Sequence, residues 1–360
     1  MRCPTVDELP KPANGRTGWP WTEGTDPPDG PPLPGGDWPR ISIVTPSYNR
    51  VEYLEETIRS VLLQGYPDLE YIIIDGGSMD GTVDVIRKYE PWLAHWVSEP
   101  DECQSEAINK GLQRATGEVL GYINTDDVFT PGALQHVGRT FADGGVDWLS
   151  GPGRLFGPGV GPGYTWPRRP WRKRWEWFVR NRLCQPSTFW RRRVTEEIGL
   201  FATDLKISMD YDYWLRMVVA GYSLTWTEAV LCRFRIHSGS ITGAWGGGFA
   251  TEDETVRARH EHALTDREQR LAARARREVQ ARRFRWRGWR RAWGGQWRQS
   301  LRDFGRTVRT CPRMLLSPKT WAVPVLALAA AVVSPFRRHA AGDDSKESDT
   351  TGGTEPSGSS

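Results

Sequence analysis

The sequence predicts an α/β fold built on a mostly parallel sheet flanked by helices. Three observations carry that expectation. Short β-branched runs alternate with helix-spaced apolar segments over about 90 residues from Ile41, the pattern of parallel strands joined by right-handed crossovers. Polar residues stand where each run ends, at Thr45, Asp75, Ser98–Asp101 and Asn124–Asp127. Ligands of such sheets bind outside the carboxyl ends of the strands, so three acidic strand ends in succession mark a site better than they mark solvated turns.

Each element has its own signature. Ile41-Ser42-Ile43-Val44-Thr45 is short, β-branched and closed by Pro46, which makes it a buried strand. Leu54, Ile58, Val61 and Leu62 recur at helical spacing within Val51–Gln64, with Asn49 as the expected N-cap and Gly65-Tyr66-Pro67 as the stop. Tyr71–Asp75 is a second strand, Asp80–Tyr89 a second helix and His95–Ser98 a third strand. Gln104–Ala115 is helical up to Gly117, and Val119–Ile123 is a fourth strand. The Gly-, Pro-, Arg- and Trp-rich stretch 151–182 is expected as a flexible excursion near the site, a lid or acceptor loop. Order resumes at Cys184–Trp190. A helix with carboxylates in its first turn begins at Asp210, and strands follow at Leu224–Val230 and Cys232–Ile236.

The two ends differ from this body. Residues 1–40 hold ten Pro and six Gly with no continuous apolar run, show no secretory signal, and are expected to be disordered or loosely draped. Between Thr255 and Arg338 there are 21 Lys/Arg against 5 Asp/Glu, an excess of 16; the chain's formal +4 leaves the rest at −12. An acidic body thus carries a basic arm, suited to an anionic surface. Five widely spaced cysteines form no CxxC pair, which argues against a disulfide framework or a zinc site and for a reducing compartment.

Carboxylates at a sheet edge suit a hard divalent cation, Mg²⁺ or Mn²⁺. Asp126 and Asp127 can supply one metal ligand and one sugar-hydroxyl acceptor, and Asp75 can accept from a base or ribose. A metal there would bridge phosphates and stabilise a phosphate leaving group. No GxxxxGK[ST] is present and no GxGxxG follows the first strand, which argues against P-loop kinases and dinucleotide dehydrogenases.

The ordered set Val44–Asn49, Ile74–Thr82, Ser98–Asp101, Ala107–Gly111, Ala115–Glu118, Asn124–Asp127, Gln185–Phe189, Gly199–Phe201, Met209–Arg216 and Arg235–His237 resembles the family 2 glycosyltransferases, inverting enzymes of the nucleotide-sugar-dependent, Rossmann-like GT-A fold. Each motif is weak alone; their order over about 200 residues is specific. The resemblance implies that Thr45, Pro46 and Tyr48 line the base pocket and that Asp75 hydrogen-bonds the base. It implies that Asp101 and Lys110 face the donor nucleotide, that Asp126 meets ribose, donor sugar or metal, and that Asp127 holds the metal. Asp210 matches the family's general base, His237 a residue that reaches the metal or diphosphate, and Gln185 one that faces the acceptor or diphosphate. Two departures stand out. Asn124 replaces the first Asp of the common acidic motif, and Cys103 stands where relatives have Gly. A catalytically silent scaffold, or an anionic-polymer binder using the arm, is the alternative.

The arm interleaves Arg with Trp286, Trp289, Trp293 and Trp297, a composition suited to anionic lipid headgroups. Trp321–Phe336 is uncharged, interrupted by Pro324 and shorter than the ~20 residues of a span. An interfacial or re-entrant anchor, a thin transmembrane span and a soluble packing helix are the three readings. The expected map is 1–40 disordered, 41–250 catalytic, 251–313 basic helical arm, 314–338 membrane-associating and 339–360 an acidic disordered tail. The expected partners are a nucleotide sugar, a glycan or lipid-linked acceptor and the cytoplasmic face of a membrane, with a soluble cytoplasmic protein as the alternative and no nucleic acid.

Overall fold

The computed structural model describes residues 2–340 apart from 13–14, 35, 162, 168–169 and 241–247. Residues up to Asp266 form one compact unit and those from Arg267 a second.

The first unit starts with strand β1 (Ile41–Ser47), buried throughout, and helix α1 (Val51–Leu62). The alternation continues through β2 (Leu69–Asp75), α2 (Thr82–Tyr89), β3 (His95–Ser98), α3 (Gln104–Arg114) and β4 (Val119–Tyr122). Then come β5 (Val128–Phe129), α4 (Ala133–Ala142), β6 (Trp148–Ser150), β7 (Gly153–Phe156), β8 (Thr165–Trp166) and a single turn, α5 (Arg174–Trp177). β9 (Thr188–Arg191), α6 (Arg192–Ile198), α7 (Met209–Val219), β10 (Leu224–Trp226), β11 (Cys232–Arg235) and α8 (Gly248–His260) complete it.

Seven strands make the main sheet in the order β10-β6-β9-β4-β1-β2-β3. It is parallel except at β9, which runs antiparallel to β4 and β6. β5, β11, β7 and β8 form a second, four-stranded sheet. The carboxyl ends of β1, β2, β3 and β4 therefore share one edge. The crossovers are tight: a Cβ at Gly111 of α3 would collide with the Val44 side chain of β1. Trp148, Trp190 and Trp214 are fully buried together in the core.

Four expectations change. Asn49 does not cap α1. It sits at φ 49°, and its side-chain oxygen accepts the Met79 N–H at 3.0 Å; the Val51 N–H of the first turn is met instead by Asp80 Oδ2 at 3.1 Å. The described part of 151–182 is not wholly a loose excursion: β7 pairs with β11 and β8, and Trp177 and Phe178 are buried. The arm begins at Arg267, later than residue 251, because α8 is bonded into the first unit.

The N-terminal segment is the fourth. Its described residues are held rather than disordered. Arg59 of α1, fully buried, donates to the carbonyls of Pro10, Pro20 and Trp21 at 2.8–2.9 Å and to the Tyr89 hydroxyl. Cys3 and Leu9 join the core, and Trp19 Nε1 donates to the Phe129 carbonyl at 2.8 Å. A buried guanidinium needs acceptors to offset its desolvation, and carbonyls of a proline-rich chain, unable to pair in a sheet, supply them. Gly65 lets the segment pass: its φ is +59°, and a Cβ there would strike the Thr25 carbonyl.

The second unit has three helices: α9 (Asp266–Trp293), α10 (Trp297–Thr310) and α11 (Pro318–Ala340). Asp303, fully buried, receives Arg287 at 3.1 Å, Arg291 at 2.7 Å and Arg306 at 3.5 Å. Among the described residues no helix is long and apolar enough to cross a membrane. Residues 341–360 of the expected tail lie outside the described residues.

Candidate active site

The shared strand edge opens onto a cleft of about 520 Å³. Pro46, Tyr48 and Asp101 line it, as do Asn124, Asp126 and Asp127. Thr45 does not: it is fully buried, with its hydroxyl 3.0 Å from that of Tyr71. Tyr48 is the exposed member of the group at 62%.

Asp75, expected to hydrogen-bond the base, does not line the cleft and is fully buried. It accepts from the Ser78 N–H at 2.8 Å, the Ser78 hydroxyl at 2.6 Å and the Ser98 hydroxyl at 2.7 Å. Its carboxylate ties the loop after β2 to the end of β3. Asp101 pairs with Lys110 Nζ at 2.6 Å. Burial pushes the Asp101 carboxyl up despite this partner. Lys110 also meets Glu99 at 2.9 Å and Glu106 at 3.4 Å, and hydrogen bonds to Asp101 and Glu99 raise its pKa.

Asp126 and Asp127 follow β4 in a tight turn. Asp126 Oδ2 is 3.0 Å from His237 Nε2. Asp127 Oδ1 accepts the Arg235 N–H at 2.9 Å, while its Oδ2 is buried without a hydrogen-bond partner. Burial, then the Asp126 charge, holds the Asp127 carboxyl well above the ordinary range. An orphaned buried carboxylate oxygen beside a second carboxylate is the environment a divalent cation would relieve. The two carboxylates fit a Mg²⁺- or Mn²⁺-type ion that draws its other ligands from water and phosphate oxygens. Among the described residues no three His, Cys, Asp or Glu side chains form a closed metal cage, so the expected trio with His237 does not assemble as one.

Arg235 was missed as a site residue. It lines the cleft, donates through Nε to the Asp126 carbonyl at 2.9 Å, and pairs with Glu56 at 2.6 Å. Its guanidinium lies 4.7 Å from the Tyr53 ring centre. The adjacent Arg235-Ile236-His237 run was the available signal.

Asp210 sits in the first turn of α7, half-buried. Its oxygens accept from the Tyr211 N–H at 2.7 Å and Asn181 Nδ2 at 3.0 Å. Burial raises its pKa to about 6, opposed by the Tyr211 N–H and reinforced by Asp253. Neither Asp210 nor any other α7 residue lines the cleft; two links connect Asp210 to residues around that cleft. The Ser105 hydroxyl, beside cleft-lining Gln104, donates to Met209 Sδ at 3.0 Å. The Tyr122 hydroxyl at the end of β4, already pushed up by burial, is pushed further by both Asp210 and Asp127. Gln185 bridges the halves, donating to the Tyr122 carbonyl at 2.7 Å and accepting from Asn124 at 3.3 Å.

Residues 42–198 match the family described as Glycosyl transferase family 2. An uncharacterized glycosyltransferase of Mycobacterium tuberculosis is 31% identical over 204 residues, 54% of this chain and 75% of the relative. A Bacillus subtilis chain named as a teichuronic acid biosynthesis glycosyltransferase, TuaG, is 39% identical over 100 residues, 27% of this chain and 40% of its own. Among solved structures, S. aureus TarS 1-349 in complex with UDP-GlcNAc superposes with a TM-score of 0.53 at 17% identity, covering 83% of this chain and 92% of that one. A mannosyltransferase of Pyrobaculum calidifontis in complex with GDP-Man and Mn²⁺ gives 0.50 at 19%, covering 87% and 90%. At such identity these two establish a shared fold. The family match and the extent of the mycobacterial similarity establish descent: the chain belongs to glycosyl transferase family 2.

Proposed function

We propose that the protein is an inverting glycosyltransferase that moves a sugar from a nucleoside-diphosphate sugar to a hydroxyl of a glycan or lipid-linked acceptor. One observation carries this reading: the strand-edge cleft holds the Asp126–Asp127 turn, with its unpaired Asp127 oxygen, and α7, where burial raises Asp210 to about 6, is tied through the Met209–Ser105 contact to α3, which lines that cleft at Gln104. The nucleotide sugars bound by the two structural neighbours support the donor class.

Pro46 and Tyr48 would border the base, while Asp75 shapes the loop beneath it. Asp127 and Asp126 would hold the divalent cation, and His237 orients Asp126. When bound, the cation neutralises charge on the departing diphosphate. Asp210 is ionised at neutral pH yet more basic than an ordinary carboxylate, the compromise general-base catalysis favours. As the acceptor oxygen bonds to the anomeric carbon, its proton passes to Asp210. The bond to the diphosphate oxygen breaks and its electron pair leaves with the nucleoside diphosphate. Attack opposite the leaving group inverts the centre.

The test is a thermal-shift panel of nucleotide sugars with and without Mn²⁺, followed by a transfer assay with the donor that binds. Failure of every nucleotide sugar to raise the melting temperature would refute the reading.

The second unit supports a peripheral attachment to the cytoplasmic face of an anionic membrane. Trp286, Trp289 and Trp293 are exposed at spacings of three and four, and Trp321, Val325 and Leu328 repeat that spacing on α11. Exposed indoles among arginines match a headgroup layer. Full-length protein should sediment with phosphatidylserine vesicles, and replacing Trp286, Trp289 and Trp293 by Ala should weaken that binding about tenfold or more. Equal binding by the triple variant, or preference for RNA over vesicles, would overturn the attachment.

A further inference from the structure

The turn that delivers Asp210 is not self-supporting. Ser208 precedes α7, yet its side chain caps no helical N–H. The support comes from α8, 44 residues further along. Glu252 Oε1 accepts the Lys206 N–H at 2.9 Å, and its Oε2 accepts those of Ile207 at 2.7 Å and Ser208 at 2.6 Å. Asp253 Oδ1 accepts the Ser208 hydroxyl at 2.7 Å. One turn on, His260 Nε2 lies 2.9 Å from Asp212 Oδ1, and Arg259 pairs with Asp204.

Three successive backbone amides converging on one carboxylate fix the loop in one conformation, and a negative charge there meets the positive end of the α7 dipole. Asp210 lies two residues beyond the last of these amides, so its backbone placement follows from the clamp. A base must sit within hydrogen-bond reach of the proton it takes, and a misplacement of about 1 Å costs about 10²-fold in rate.

We propose that Glu252 and Asp253 are positioning residues for the transfer step, holding Ser208 and the first turn of α7 so that Asp210 faces the acceptor hydroxyl. The proposal rests on Asp210 as the base. Asp253 has a second consequence. Burial is the main cause of the raised Asp210 carboxyl, and Asp253 pushes the same way, so removing its charge lowers the pH at which Asp210 ionises.

The experiment compares the full-length chain with Glu252→Ala, Asp253→Asn and Asp210→Asn variants. Carboxyl ¹³C NMR follows the Asp210 titration, and hydrogen exchange follows the amides of 206–211; neither needs a donor. The donor that shifts the wild-type melting temperature then serves for kinetics. Expected are faster exchange at 206–208 in Glu252→Ala, a lower Asp210 midpoint in Asp253→Asn, and in Glu252→Ala a kcat reduced about 10–100-fold with donor KM within about twofold. Wild-type exchange and kcat in folded Glu252→Ala, or an unmoved midpoint in Asp253→Asn, would overturn the proposal. If Glu252→Ala does not fold, Glu252→Gln, which keeps one acceptor oxygen, takes its place under the same criteria. Asp210→Asn separates the two ideas: normal turnover there defeats the base itself, whereas a dead Asp210→Asn beside a normal Glu252→Ala defeats only the clamp.

Discussion

The two halves of the first unit position their candidate residues by different means. Residues 41–127 deliver side chains from strand ends, and each strand is pinned by neighbours on a parallel ladder. Residues 184–260 deliver Asp210 from a helix N-terminus whose conformation depends on a distant helix. The first half is thus fixed mainly by its own sheet, and the second by tertiary contacts. A strand end has its geometry from hydrogen bonds on both sides, whereas a loop must be fixed by side chains.

That contrast breaks most visibly at Asp210. Asp210→Asn should lower transfer by about 10²–10⁴-fold while the thermal shift given by donor plus Mn²⁺ stays at the wild-type value; loss of donor binding would show that the halves are not separable. Asp127→Ala should instead impair donor binding together with the rate. It should abolish the Mn²⁺-dependent part of the donor thermal shift and cost several kcal/mol of leaving-group stabilisation, about 10²-fold or more in rate. Next in size is pH. The raised Asp210 pKa of about 6 means the base is lost by protonation as pH falls, so kcat should drop about tenfold per unit below that point; an acid limb near 4 would mean the carboxyl is not desolvated during turnover. The smallest effect is expected at the seam. Gln185→Leu removes the donor to the Tyr122 carbonyl and should cost about 1–3 kcal/mol of stability, read as a lower denaturant midpoint, with a few-fold change in rate.

The same contrast explains what the sequence reveals. Strands β1 to β4 and their helices are legible because apolar period and turn residues agree locally, as at Ile41–Thr45 and Gln104–Ala115. Their polar ends give much of the cleft lining almost directly. β5 through β8 are two to four residues long and lie among Gly and Pro, so their identity comes from pairing, β5 and β7 with β11, β6 with β9, and β8 with β7, rather than from pattern. The N-terminal segment reads as disorder because its stabilisation resides in Arg59, a residue that looks like an ordinary helix-surface charge. Glu252 and Asp253 are invisible for the same reason: nothing local distinguishes them from other acids on a polar helix. Asp75 illustrates the converse. Its position was legible, but its three hydrogen bonds to Ser78 and Ser98 appear only in the folded chain.

The Arg59 contacts carry a practical lesson for anyone trimming this chain. Cutting at residue 40, just before the first strand, would seem the natural way to isolate a tidy enzyme core. It would instead strip the partners from a cation already sealed inside the protein, and uncover the apolar wall against which Cys3 and Leu9 rest. The described residues among the first forty pack as an outer shell of the folded body, and recombinant versions lacking the segment should precipitate or melt early.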